Sequence, residues 1–240
     1  MDYDSLLELV KKRRSIRHFK SDPIPDEYVE KILEVARWAP SALNAQPCEF
    51  VVVKEQETKD KIVELFKEAT VFWRRMELTK EPEKRAPGLA ESQKTRFAWE
   101  DAPVFIIVCG DPRVLVTEPM HVHIGFMPAI IVTDMALASI YLHLAATTLG
   151  LAHQFVSGPA YPQLGVLLKG LLGIPMDWQL LELMAIGYPA AEPRPRYVRP
   201  PGEMVHYNHV DKARVRTDEQ IKDYLLMLRN WWFERVGKDK

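Results

Sequence analysis

The sequence lacks the features that mark several large protein classes. Its 240 residues contain two cysteines, Cys48 and Cys109, which are too few for a disulfide framework and have no C-x-x-C spacing for a metal. The formal net charge is −1 at pH 7, so there is none of the basic excess that general nucleic-acid binders carry. Neither G-x-G-x-x-G nor G-x-x-x-x-G-K-[ST] occurs, so neither a Rossmann nor a P-loop nucleotide site is indicated.

Targeting and membrane signals are also weak. The segment MDYDSLLELVKKRRS is acidic and then basic, without the apolar stretch of a secretory signal. The longest apolar run, residues 126–151, contains Asp134 near its middle, and an ionisable side chain is costly in lipid. We therefore expect a buried central helix and no membrane partner. Both cysteines lie in apolar, strand-like runs, as reduced core thiols of a cytoplasmic protein do.

Helical and strand-like patterns alternate along the chain, without internal repeats. The apolar spacing predicts helices over 6–13, 27–39, 57–70, 128–149, 163–173 and 218–236. Short β-branched runs predict strands over 49–54, 103–110, 152–157 and 179–186. Asp4 or Ser5 is the expected cap of the first helix and Asp26 that of the second. This order predicts one α/β or α+β domain with helices covering both faces of a sheet.

The densest positive region runs from Lys11 to His18. Guanidinium groups at Arg13, Arg14 and Arg17 present forked donors that match phosphate oxygens, and Ser15 adds a hydroxyl donor beside them. These residues are candidates for holding one ligand phosphate. The alternative is a solvated basic face at a helix C-terminus, where positive charge complements the helix dipole.

The loop PSALNAQP joins the second predicted helix to the first strand. Ser41, Asn44 and Gln46 offer hydroxyl and amide groups that donate and accept in one plane, as the polar edge of a flavin ring requires. The alternative is a capped turn in which these side chains bond their own backbone.

Histidines and aromatics provide further candidates. His121 and His123 have strand-like i, i+2 spacing, but no Cys, Asp or Glu follows at ligand spacing, so no metal site is predicted. His143 and His153 are interpreted as satisfied core histidines. Four aromatics are candidates for a pocket wall, with simple core packing as the alternative: Trp73, Phe97, Trp99 and Phe126.

Three segments together resemble the nitroreductase superfamily. RRSIRHFKSDPIP, then EKILEVARWAPSALNAQP followed by FVVV, resembles the family's N-terminal signature, and AIGYPAAEPRPRYVRPPGEMVHY resembles its C-terminal one. The resemblance covers most of residues 11–209 and is poor over 70–125 and beyond about 210. Cys48 stands where the family has tryptophan.

The resemblance implies an α+β fold, a three-layer α-β-α sandwich with a central mixed sheet, in an intertwined homodimer. It implies a single domain over 1–240. Within it, residues 70–125 would form a variable lid or substrate region, and residues 210–240 an extension that packs on the partner subunit.

The resemblance also implies an FMN site. Arg13, Arg14 and Ser15 would bind the FMN phosphate, and Arg17 would lie near the flavin N1/O2 edge. Other segments would complete the site. Arg199 and Arg196 would reach the phosphate from the C-terminal segment, the backbone of Val156, Ser157 and Gly158 would lie near flavin N5 and O4, and the other subunit would contribute Ser41, Ala42, Asn44 and Gln46.

The implied activity is ping-pong hydride transfer. NADH or NADPH would reduce FMN at N5, and an electron-poor aromatic small molecule, nitro- or quinone-like, would then accept the hydride. No side-chain acid or base is predicted, because the cofactor carries the chemistry. The alternatives are a dehalogenase, an ene reductase or a dimethylbenzimidazole synthase of the same fold, a non-catalytic flavin-binding protein, or a helical interaction module that uses the tail with Trp231 and Trp232.

Overall fold

The computed structural model describes residues 2–82, 85, 96–115, 127–193 and 196–236. These residues contain six α-helices and four strands: α1 (Tyr3–Lys12), α2 (Asp26–Ala36), β1 (Cys48–Val53), α3 (Gln56–Leu78), β2 (Val104–Gly110), α4 (Met127–Thr148), β3 (Ala152–Val156), α5 (Pro162–Leu172), β4 (Gln179–Gly187) and α6 (Asp218–Val236). The chain forms two compact units, Met1–Pro193 and Arg194–Lys240. The α+β class expected from the sequence is confirmed.

The sheet has the strand order β1-β2-β4-β3, with every neighbouring pair antiparallel. We expected a mixed sheet. Parallel pairing in the described part of the chain is confined to one bridge, between Ser15 and His153 at the outer edge of β3. β1 and β2 are neighbours in the sheet, as are β3 and β4. In each pair the connecting chain leaves one strand and enters the next at the same end of the sheet, which makes the two strands antiparallel.

Each face of the sheet is covered by helices, which confirms the three-layer arrangement. Alternate residues of a strand point to opposite faces. Phe105 and Ile107 of β2 pack with α3 and α5, whereas Val104 and Ile106 pack with α2 and α4. The helices contribute large apolar side chains to these two layers: Ile62, Phe66, Leu164 and Leu168 to the first, and Ile32, Ile131, Met135 and Leu142 to the second.

Helix boundaries differ from the predicted ones in several places, of which three bear on caps or on helix length. The cap of α1 is Asp2, whose carboxylate accepts the Ser5 N–H at 2.8 Å, rather than Asp4 or Ser5. Asp26 is the first residue of α2 rather than its cap. Helix α3 continues to Leu78, eight residues beyond its predicted end, because residues 71–78 contain no glycine or proline to stop it. The range 70–125 therefore includes the end of α3 and the fully buried strand β2.

Helix α4 is long and apolar enough to cross a membrane by length and composition, and half of its most apolar stretch is buried inside the protein. Its polar residues Asp134, Ser139 and His143 are buried and bonded to the protein. These contacts identify α4 as the central core helix that the sequence predicted. Gly150, with φ of 72°, follows its end as expected.

Two arginines of the C-terminal unit converge on one carboxylate. Glu203 accepts from Arg216 Nη2 at 2.6 Å and from Arg199 Nε at 3.4 Å. The Arg216 guanidinium also lies 4.2 Å from the ring centre of Tyr224. Leu225 of α6 is 58% exposed within this chain, and its packing on a partner subunit stays a prediction.

Candidate functional site

Residues 13–17, which we call the arginine segment, run along the outer edge of β3. Arg13 is the C-cap of α1, and Ser15 then forms a parallel bridge with His153. The Ile16 N–H donates to the His153 carbonyl at 3.1 Å. Arg13 and Arg14 are half-buried, whereas Ser15 and Arg17 are exposed. Backbone pairing with an edge strand therefore holds the predicted phosphate ligands in place.

The same strand leads to the second predicted part of the site. β3 ends at Val156, and Ser157 leads into a 3-10 turn over Gly158–Ala160. Ser157 is exposed and lies four residues beyond His153, about 13 Å along an extended strand. The structure thus places the arginine segment and residues 156–158 along one edge strand.

Gly158 is required at its position by packing. A Cβ atom there would lie 2.3 Å from Phe66 Cε1 and 3.1 Å from Leu164 Cδ2. Contacts below 3.0 Å are not tolerated without a shift of the core, so only glycine lets the turn approach α3 this closely. The path of the 156–158 backbone is therefore set by the apolar core beneath it.

Two aromatic residues lie beside this turn, and only one was a sequence candidate. Trp73 of α3 and Tyr161 have ring centres 4.9 Å apart, and Tyr161 is 51% exposed. Tyr161 was not among the aromatic candidates from the sequence; its position in the loop GPAYP is the feature that could have indicated it. Trp99 is 4% exposed and packs on Phe66 at 4.8 Å between ring centres, so the packing alternative holds for it.

The other two aromatic candidates are a core residue and a residue outside the described part of the chain. Phe97 stacks on Trp99 with ring centres 5.1 Å apart and joins the core. Phe126, like His121 and His123, lies outside the described residues. Among the described residues, no group of three or more His, Cys, Asp or Glu side chains is arranged for a metal ion.

The loop of residues 41–46 has an unusual backbone. Leu43, Asn44 and Gln46 have φ of 50°, 57° and 51°, in the left-handed region that non-glycine residues rarely adopt. The Ser41 hydroxyl accepts the Gln46 N–H at 2.9 Å, which is the bonding that the capped-turn interpretation predicted. Several left-handed residues in one exposed loop cost free energy and are typical of functional segments.

A buried carboxylate on α4 holds this loop. Asp134 is 3% exposed and accepts the Ala42 N–H at 3.1 and 3.3 Å through its two oxygens. Burial raises the pKa of the Asp134 carboxyl, and the Ala42 N–H lowers it to a smaller extent. Sequence reasoning noted Asp134 only as an obstacle to a membrane span and missed this role.

The two cysteines are unsuited to nucleophilic chemistry. Burial, assisted by Asp134 and Glu49, raises the pKa of the Cys48 thiol to about 12. Burial also raises the pKa of Cys109 to about 12. Both thiols are therefore protonated at neutral pH, and the thiolate is the reactive form of cysteine.

The two groups of predicted ligands lie far apart within one chain. The 41–46 loop precedes β1, at the end of the sheet where Cys48 pairs with Gly110. Ser15 bridges β3 at the opposite edge, near the end where Ala152 pairs with Gly187. The two edge strands are three strand spacings apart, about 14 Å across the sheet. The two segments also lie at opposite ends of the strands, which adds to this separation. One chain does not bring Ser41, Asn44 and Gln46 to the arginine segment.

The predicted ligands of the C-terminal unit have their own arrangement. Arg199 donates from Nη2 to the Glu203 carbonyl at 2.7 Å, besides its contact with the Glu203 carboxylate. Arg216, and then Arg199, lower the pKa of that carboxyl. Arg196 is exposed.

Two core histidines adjoin the arginine segment. His143 of α4 and His153 of β3 are 4% and 2% exposed and bond to each other, which confirms their interpretation as satisfied core histidines. Burial, His143 and Arg13, in that order, lower the pKa of His153 to about 2. Sequence reasoning missed the buried Glu182 that joins this pair, although a lone acid in the strand QLLELMAI was a visible signal.

Comparison with known proteins identifies relatives over most of the chain. A family model described as "Nitroreductase family" matches residues 10–188. A Methanothermobacter thermautotrophicus protein, named for NADH dehydrogenase and NAD(P)H nitroreductase activity, is 29% identical over 193 residues, 80% of this chain and 81% of its own. The "Iodotyrosine deiodinase 1" of Rattus norvegicus is 32% identical over 193 residues, 76% of this chain and 61% of its own.

Solved structures share the fold. The NADPH:FMN oxidoreductase of Vibrio harveyi, solved in complex with NAD+, superposes with a TM-score of 0.67 at 22% identity. The alignment covers 97% of this chain and 90% of that one. At this identity the likeness concerns the fold.

Proposed function

This chain belongs to the nitroreductase family, and from that premise we propose that it is an FMN-dependent NAD(P)H oxidoreductase working by ping-pong hydride transfer. The observation that carries the proposal is the shared edge strand. Ser15 and Ile16 pair with the start of β3, and the same strand ends in the Val156–Gly158 turn. A ligand with a phosphate at one end and a polar ring at the other would fit such an edge.

The donor chemistry suits FMN at both ends. Arg13 and Arg14 would give paired guanidinium donors to a phosphate, and the exposed Ser15 hydroxyl would add a third. At the other end, the turn at Ser157 and Gly158 would offer backbone N–H groups to the polar edge of the ring.

FMN, when bound, supplies the N5 atom that accepts and returns hydride. Arg17 would hold positive charge at the N1/O2 edge, which favours the negative charge that develops there. Trp73 and Tyr161 would exclude water from one side of the turn. We assign no side-chain acid or base to this reaction.

We also propose a homodimer in the cytoplasm. The separation of the 41–46 loop from the arginine segment supports this, because Ser41, Ala42, Asn44 and Gln46 would then serve the other subunit's cofactor. Exposed residues of α6, such as Leu225 and Leu226, would pack on the partner. Arg199 and Arg196 would contribute to the phosphate contacts.

The acceptor we propose is an electron-poor aromatic of the nitro or quinone type. This agrees with the relative named for nitroreductase activity. The similarity to an iodotyrosine deiodinase favours one alternative, a reductive dehalogenase. Oxidation of NADH and NADPH followed with a nitroaromatic, a quinone and a halogenated phenol would separate the two activities.

The cofactor assignment is tested by replacing the arginines. We expect Arg13→Ala and Arg17→Ala each to raise the Kd for FMN more than about tenfold, since losing a charge-assisted contact costs ~1.4 kcal/mol or more. Quenching of flavin fluorescence measures the affinity. Lys61→Ala is the control, because it removes an exposed positive charge from α3 and should leave the Kd unchanged. A protein that stays colourless after reconstitution with FMN would contradict the assignment.

A further inference from the structure

The rings of Trp73 and Tyr161 form a pair of which one member is exposed. Their centres lie 4.9 Å apart, and the ring planes are inclined by 52°. Trp73 also packs against the core on the α3 and α5 side of the sheet. Tyr161 is 51% exposed. One side of the phenol ring is therefore covered by Trp73, and the other side is open; we call it the open face of Tyr161.

The backbone of Tyr161 is held on both sides. Its N–H donates to the Gly158 carbonyl at 3.0 Å, and its carbonyl accepts the Gly165 N–H at 2.8 Å. Pro162 follows as the first residue of α5 and has a fixed φ. A ring on such a backbone, supported by a second ring, needs little further ordering when a ligand binds. The open face of Tyr161 is thus a preorganised surface.

This surface lies beside the turn to which the flavin ring is assigned. The Gly158 carbonyl that bonds Tyr161 belongs to that turn, and Phe66 leaves no room for a Cβ at Gly158. The protein itself therefore sets the distance between the turn and the phenol ring. A molecule that reacts at the turn would come within reach of Tyr161, which is three residues away along the chain.

The chemistry of a phenol ring favours one class of molecule. The face of an aromatic ring is electron-rich, so it attracts a ring from which nitro or carbonyl groups withdraw electrons. Such stacking lowers a Kd by about two- to tenfold beyond the effect of buried area. A saturated ring of the same size covers a similar area without this gain.

The opposite side of the same strand carries another exposed aromatic. Phe155 of β3 is 42% exposed, and its ring centre lies 6.1 Å from that of His143. It therefore lies on the α4 side of the sheet, whereas Trp73 and Tyr161 lie on the α3 side. Phe155 has no preorganised partner ring comparable to Trp73, so the pair on the α3 side is the better stacking surface.

We propose that the open face of Tyr161, backed by Trp73, stacks on the electron-poor ring of the acceptor and selects ring acceptors over ringless ones. The inference rests on the proposed function, because it places the acceptor at the Val156–Gly158 turn. Tyr161 is thus a specificity-determining residue, and the acceptor class is a planar ring that carries nitro or carbonyl groups.

Equilibrium dialysis of the FMN-loaded protein, without NADH or NADPH, measures binding in the absence of reaction. Three ligands share a carboxylate and differ in the ring: cyclohexanecarboxylate, benzoate and 4-nitrobenzoate. We expect the Kd for wild type to fall in that order. The ratio of the first Kd to the third defines the ring selectivity.

Two substitutions at the exposed Tyr161 separate its ring from its hydroxyl. We expect Tyr161→Ala to lower the ring selectivity about fivefold, and Tyr161→Phe to keep it within about twofold of wild type. Stacking on the flavin itself contributes to every protein and cancels in the comparison. Equal ring selectivity in wild type and Tyr161→Ala would overturn the proposal. Equal losses in both variants would also overturn it, because the hydroxyl and not the ring would then make the contact.

Phe155→Ala tests the other side of the strand with the same three ligands. We expect it to retain the ring selectivity of wild type. A loss of selectivity in Phe155→Ala without one in Tyr161→Ala would place the acceptor on the α4 side and overturn the proposal.

Steady-state kinetics separates this inference from the proposed function. For Tyr161→Ala we expect kcat/KM for 4-nitrobenzoate, relative to that for the ringless acceptor ferricyanide, to fall about fivefold through KM. Wild-type protein that binds no FMN, or that oxidises neither NADH nor NADPH with either acceptor, would defeat the proposed function. Wild-type protein that does both, with the same ratio in Tyr161→Ala, would overturn the stacking alone.

Discussion

The two edges of the sheet hold predicted ligand groups in different ways. At the β3 edge, the arginine segment is fixed by backbone pairing with His153, whose side chain is bonded to His143 of α4, and the turn at the far end of the strand is shaped by Phe66 against Gly158. At the β1 edge, the 41–46 loop has three left-handed residues and depends on Asp134 and the Ser41 hydroxyl. The geometry of the β3 edge is set by strand pairing and core packing, whereas that of the 41–46 loop is set by a few hydrogen bonds.

This difference bears on how the site would be assembled. A segment fixed by the core keeps its geometry without a ligand, which minimises the ordering cost of binding. A loop with left-handed residues and an exposed Leu43 has unfavourable local geometry and few contacts of its own. The β3 edge would thus suit the proposed phosphate site within one chain, and the β1 loop would suit completion by the proposed second subunit.

The largest expected effect tests the buried bonds among Glu182, His143 and His153 under the β3 edge. His143→Leu would leave Glu182, which is 0% exposed, without its imidazole partner. Breaking a buried pair from one side costs about 3–5 kcal/mol. We expect a loss of that size in the free energy of unfolding, measured with urea at pH 7 and matched protein concentration. The exposed His18→Leu, as a control, should change stability by less than about 0.5 kcal/mol. A cost below about 1 kcal/mol for His143→Leu would mean that the β3 edge does not depend on buried polar bonds.

A smaller effect tests the packing under the same edge. Gly158→Ala brings a Cβ to 2.3 Å from Phe66, whereas Gly170→Ala in α5 meets nothing within 4 Å. We expect the first to cost about 1–3 kcal/mol by overpacking. The second should stabilise by up to about 1 kcal/mol, because alanine favours a helix. Urea unfolding of both variants measures the contrast. Equal effects would show that the 156–158 turn moves easily and is not shaped by the core.

The sequence predicts features that depend on neighbouring residues better than features that depend on contacts between residues far apart in the chain. Helix α6 agrees with its predicted residues at both ends, and α4 within one residue, because local apolar periodicity and breakers such as Gly150 define them. The end of α3 was wrong because a polar, charged run still favours a helix when it has no glycine or proline. The antiparallel pairing of all four strands depends on chain reversals that local patterns do not encode.

The site shows the same division. Local composition singled out Arg13 and the 41–46 loop, but nothing local indicates that Ser15 pairs with β3 or that Asp134 caps Ala42 from 92 residues away. The bonds among Glu182, His143 and His153 join three elements. Such contacts appear only once the topology is known, because each residue alone resembles an ordinary core or helix position.

The smallest effect tests the single carboxylate of the β1 edge. Burial raises the pKa of Asp134 in the folded protein above its unfolded value, so its contribution to stability is complete at low pH and is lost as pH rises through the folded pKa. Asp134→Asn keeps an oxygen for the Ala42 N–H and removes the ionisation. We therefore expect it to be more stable than wild type at pH 7, by about 0.5–1 kcal/mol. The difference should vanish below about pH 4, the usual range of a free aspartate.

Asp2 provides a control of opposite sign, since the Ser5 hydrogen bonds lower its pKa. Its contribution is present at neutral pH and lost as pH falls, so Asp2→Asn should be less stable than wild type at pH 7 and converge with it in acid. Unfolding free energies from pH 3 to pH 7 separate the two patterns. If Asp134→Asn instead lost stability at pH 7, the charge of Asp134 would be a strong anchor for the loop. The 41–46 loop would then be held firmly within one chain and would not need another subunit to fix its geometry.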